Sequence, residues 1–79
     1  MLKKVRIERG AKSNKLLRIS YQNADTDRHF EWDKVIEDQK QMKAIDSVCG
    51  SCVYAGTYGQ RAIYEGYIEY DDILAALAW

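Results

Sequence analysis

The sequence predicts an α+β fold, a small antiparallel sheet of three to four strands with helices packed on one face, in the order β-β-β-α-β-α. Three observations lead there. Two early runs, Lys3–Arg9 and Lys15–Tyr21, alternate apolar and polar residues on either side of a Gly-containing loop, the pattern of a β-hairpin. Met42, Ile45, Cys49, Cys52, Val53 and Gly56 then recur three and four residues apart, which stacks them on one side of a helix. Finally, Arg61–Tyr70 is rich in β-formers and runs into an apolar close. With 79 residues, 47% hydrophobic and 30% charged, the composition is that of a folded chain, and residues 1–79 read as a single compact domain.

In the first strand Val5 and Ile7 share a face, with Lys4, Arg6 and Glu8 on the other. In the second, Leu17, Ile19 and Tyr21 are expected to face inward, opposite Leu16, Arg18 and Ser20. Gln22–Asp27 is a turn by composition. Arg28–Trp32 is the expected third strand, with Phe30 and Trp32 on the buried face. Asp33 is the expected N-cap of helical structure over residues 33–59. Val35 and Ile36 start that helix, and the stripe from Met42 to Gly56 continues it, as one helix with a break or as two. Gly56 or Gly59 ends it. Arg61–Tyr70 forms a strand in which Gly66 marks a bulge or a close-packing point. Asp71 or Asp72 caps a last helix, Ile73–Trp79, whose acidic start suits the helix dipole.

Charge is balanced overall, with 12 basic and 12 acidic residues, but it is unevenly placed. Residues 1–20 carry seven Lys and Arg against Glu8 alone, and the acidic excess falls on the remainder. Pairing of the two regions across the fold is preferred to an external acidic partner, since zero net charge gives no general attraction to nucleic acid. No apolar run approaches the ~20 residues of a membrane span. The segment MLKKVRIERG has no apolar core of a secretory signal. Two cysteines without such a signal point to a reducing, cytoplasmic location.

Cys49-Gly50-Ser51-Cys52 is the one motif-like tetrapeptide, and a C-x-x-C can serve redox chemistry or half of a zinc site. A redox pair should open a helix, whereas these cysteines fall within one. Zinc would have only His29 and carboxylates to complete its ligands. The preferred reading is two structural thiols on a packed helix face. Asp25, Asp27, Glu31 and Asp33 lack the spacing of a calcium loop. No nucleotide-binding or hydrolase motif occurs, so no enzyme activity, cofactor or metal is expected.

Tyrosines are concentrated late in the chain: Tyr54, Tyr58, Tyr64, Tyr67 and Tyr70. Tyrosine combines large contact area with a polar tip and is enriched at interfaces. The leading functional expectation is a small interaction protein, an inhibitor or adaptor of the kind found among phage and mobile-element accessory products. It would dock on a partner protein or a second copy through Tyr58, Tyr64, Tyr67, Tyr70 and Trp79. The alternative is a nucleic-acid-binding module using Lys4, Arg6, Arg9, Lys15 and Arg18, with Lys3 and Lys12 beside them. The third is a thiol-redox protein using Cys49 and Cys52.

Overall fold

In the computed structural model, which describes residues 2–23, 34–49 and 52–78, the first strand occupies the centre of the sheet. β1 (Leu2–Gly10) lies between β2 (Leu16–Asn23) and β5 (Arg61–Glu69), with β3 (Lys34–Ile36) beyond β2 and β4 (Val53–Tyr58) beyond β5. Every neighbouring pair is antiparallel. The α+β class is as expected, but the sheet has five strands in the order β3-β2-β1-β5-β4. Helix α1 (Gln39–Val48) joins β3 to β4, and α2 (Tyr70–Leu77) follows β5. Among the described residues no helix is long and apolar enough to cross a membrane.

Alternation along β1 sends Val5 and Ile7 to one face, where Ile19, Tyr21, Ile36 and Ile68 join them. Both helices cover that face, α1 through Met42 and Ile45 and α2 through Ile73 and Ala76. Fully burying side chains of this size stabilises by about 1.5–3 kcal/mol each. Polar links seat α1 on three sides. Gln39 Nε2 donates to the Leu16 carbonyl at 3.0 Å, Gln41 Nε2 to the Leu77 carbonyl at 3.3 Å, and Arg9 pairs with Asp46 at 2.6 Å.

Several expectations are corrected. The expected strand Arg28–Trp32 and the cap Asp33 lie outside the described residues. Val35 and Ile36, read as a helix start, belong to β3, where their β-branched side chains suit a pleated surface. The N-cap is Asp38, which accepts the Gln41 amide at 3.0 Å. The helix stops at Val48, and Val53–Tyr58, read as its continuation, is a strand. Gly56 therefore ends no helix. It sits at an irregularity in β4 with φ +136°, a region in which only glycine is comfortable. In β2 a register shift opposite Glu8 and Arg9 turns Leu16 inward and leaves Leu17 exposed, the reverse of simple alternation. α2 begins at Tyr70 with Glu69 as its N-cap, ahead of the expected Asp71 or Asp72, which lie in its first turn. Ala76 faces in and Leu74 faces out.

Candidate functional site

The helix-free face of the sheet can be built up row by row from the strand register. Gln22, Lys4 and Tyr67 form one row. Val35, Ser20, Arg6, Glu65 and Val53 form the next, spanning all five strands. Arg18, Glu8, Ile63 and Gly56 follow, and then Arg61 beside Tyr58.

Charges in the middle of this face neutralise one another. Glu65 takes Lys4 at 3.4 Å and Arg6 at 3.5 Å. Glu8 takes Arg61 at 3.0 Å and Arg18 at 3.8 Å, and Arg18 also reaches Glu37 at 3.5 Å. Partly exposed pairs of this kind contribute about 0.2–1 kcal/mol each. Their larger effect is to remove free positive charge. Of the residues expected to grip nucleic acid, Lys4, Arg6 and Arg18 are engaged here, and Arg9 is held by Asp46 on the other face. Lys3 is buried there with its ammonium 4.9 Å from the centre of the Tyr70 ring. Lys12 and Lys15 stay exposed at the β1–β2 turn.

The tyrosines expected to form one patch are divided between the two faces. Tyr64 and Tyr70 pack against the core, with Tyr64 edge-on to Tyr54 at 5.6 Å and Tyr70 6.2 Å from Tyr21. Tyr58 and Tyr67 stand on the open side, 72% and 52% exposed. Trp79 lies outside the described residues. Joining Tyr58 on the open side is Val53, 66% exposed, and Tyr54, 57% exposed, stands opposite Tyr64 on the other side of the same strand; the expected site omitted both. Their signal was present in VYAGTY, a run of β-branched and aromatic residues without a charge. β4 is an edge strand, so its outer backbone groups are available as well as these side chains. Beside it, Arg6, Glu8, Tyr58 and Ile63 line a shallow depression of about 270 Å³.

Cys49 and Cys52 are joined by a disulfide, with Cα atoms 5.9 Å apart. This corrects the reading of two separate thiols on a helix face. Cys49 is the C-cap of α1 and Cys52 leads into β4, so the bond clips the helix end to the start of the exposed edge. A redox pair activated by a helix uses its N-terminal end, and this one sits at the opposite end. Closing so short a loop stabilises by about 2 kcal/mol. A dithiol reductant is therefore expected to lower the melting temperature, read by circular dichroism, by roughly 8–16 °C. An unchanged melting temperature would show that the bond contributes nothing.

Among the described residues no group of three or more His, Cys, Asp and Glu is placed to hold a metal ion. His29 and the carboxylates near it in sequence lie outside those residues. Comparison of the chain with known protein families, with curated proteins and with solved structures returns no match.

Proposed function

We propose that this chain is a non-enzymatic protein-interaction module, an inhibitor or adaptor that docks on a partner protein through the β4 side of its open sheet face. One observation carries the reading. β4 has no charged residue, and it leaves Val53 and Tyr58 mostly exposed on the open face. Native edge strands are ordinarily protected by charged residues, proline, short length or a bulge, and of these β4 has only the irregularity between Tyr54 and Gly56. Tyr67 extends the patch one strand inward, and the ion pairs of Glu65 and Glu8 border it with a polar rim. An aromatic centre within a polar border is the usual anatomy of a protein interface.

Tyr58→Ala and Tyr67→Ala test this directly. Both rings are exposed, so the far-ultraviolet circular dichroism spectrum should match the parent. Affinity for a partner captured from the native host should fall by about 2–4 kcal/mol if either is an anchor, a loss of roughly thirtyfold or more. Folded variants that retain the partner as well as the parent does would move the docking surface elsewhere.

A further inference from the structure

The start of β4 is held by a bond rather than by burial. None of the six residues of β4 is buried, and the strand lies at the sheet edge beside β5. The irregularity between Tyr54 and Gly56 interrupts even that pairing. An element with so little buried surface opens locally at low cost. Immediately before it, Cys52 packs against the core and is bonded to Cys49 at the end of α1. That helix is firmly seated. Met42 and Ile45 are fully buried, and polar links to Arg9, Leu16 and Leu77 hold it. The disulfide therefore ties a weakly held strand to a well-held helix.

Cys52 has no room on its other side. A Cβ on Gly66 would fall 2.9 Å from the Cys52 Sγ and 2.9 Å from its Cα, so Cys52 lies against the bare backbone of β5. Two thiols cannot approach as closely as two bonded sulfurs, so breaking the bond obliges one cysteine to move. The β5 backbone blocks Cys52 inward, and the seating of α1 resists movement of Cys49. The remaining direction carries Cys52 outward, and the start of β4 goes with it. Both cysteines are half-buried, with Ser47 and Val48 exposed before them and Val53 exposed after them. A thiol can therefore reach the bond in the folded chain.

We propose that the Cys49–Cys52 disulfide is a redox catch on β4, which a dithiol reductant opens, freeing the start of β4 from β5 while the helices and the rest of the sheet stay folded. A thiolate of the reductant attacks one cysteine sulfur, the S–S bond breaks and a mixed disulfide forms. The second thiol of the reductant then displaces that cysteine. Cys49 and Cys52 end as two thiols, and the dithiol ends as a disulfide. The cysteines are acted upon here, which their place at the C-terminal end of a helix allows. Val53 moves with the start of β4, so the catch also sets how much of the proposed docking surface is in place, and that consequence alone rests on the docking reading.

Residue-by-residue amide exchange of the oxidised and the reduced protein decides it. A thiol-reactive dye should count no thiols in the folded protein before treatment with dithiothreitol and two after. The amides of Val53–Tyr58 that are protected in the oxidised protein should then exchange roughly tenfold or more faster. They should do so through an opening that low urea does not speed, as local openings do. Amides of Val5, Ile7 and Ile45 should remain the slowest and keep their urea dependence. A bond that dithiothreitol does not reduce in the folded chain overturns the proposal. So do β4 amides that are unchanged, or that speed up only with the core through the same urea-dependent opening. The double variant C49S/C52S should show the reduced pattern without reductant and should not respond to dithiothreitol; a response there would place the effect elsewhere and overturn the catch. Exchange reads the catch alone, and the Tyr58 and Tyr67 variants read the docking surface, so either reading can fail without the other.

Discussion

Ile45→Ala is expected to remove about 2–5 kcal/mol of stability, the cost of emptying a fully buried aliphatic site. Ile45 has no solvent exposure and lies in α1 among Val5, Ile7, Ile19 and Ile73. A chain of 79 residues has a total stability of roughly 4–12 kcal/mol, so one substitution here takes a large share. The surrounding groups are held by the sheet and by the second helix, which limits collapse into the gap. Leu74→Ala, on the exposed side of α2, is the matched control and should change stability by less than about 0.5 kcal/mol. Urea unfolding of the two variants measures the difference. Equal midpoints would mean that α1 is not seated on the sheet as described.

Gly66→Ala is expected to cost about 1–3 kcal/mol by overpacking, although alanine adds only one methyl group. A Cβ at Gly66 would sit 2.9 Å from Cys52 Cα, 2.9 Å from its Sγ and 3.1 Å from its amide nitrogen. Two of those atoms are backbone, and the disulfide to Cys49 ties the third. Nothing there can swing aside as the tip of a long side chain would. Relief requires β5 and the entry to β4 to separate. Gly59→Asn provides the comparison: Gly59 has φ +62° and no neighbour within 4 Å, and asparagine tolerates that conformation. Its unfolding midpoint should stay near that of the parent. A Gly66→Ala midpoint equally close to the parent would mean that Cys52 does not lie against β5.

Where the hydrophobic period was unbroken, the elements were legible. Val5 with Ile7, and Ile19 with Tyr21, each declared a strand and its buried face, and the β-formers of Arg61–Tyr70 declared a third strand. The stretch from Met42 to Gly56 was misread because Cys49, Cys52, Val53 and Gly56 happen to continue the helical spacing of Met42 and Ile45. A periodicity cannot register that the chain reverses between two of its members. The disulfide that closes that reversal was visible only as two letters, and the spacing of a C-x-x-C does not say whether its thiols are joined. β3 escaped notice because three residues are too few to show a period of two. The residues of the proposed docking surface were half legible. Aromatic density pointed to Tyr58 and Tyr67, but a helical reading of Val53 and Tyr54 hid the edge on which they stand.

The placement of β1 bears on how the chain acquires its structure as it is made. β1 needs β2 on one side and β5 on the other, and residues 11–60 lie between β1 and β5 in the sequence. The hairpin closes across a short turn. The second side must wait for a distant strand, and long closures of this kind slow folding. At ~5–20 residues per second the missing partner emerges about 3–10 s later. Through that interval the hairpin offers an unfilled ladder to any other nascent chain nearby. Lys3, Lys4, Arg6 and Arg9 stand along that open side, and like charges on neighbouring hairpins repel. Until Glu65 and Asp46 arrive to neutralise it, the basic start puts like charges where a neighbouring hairpin would have to pair.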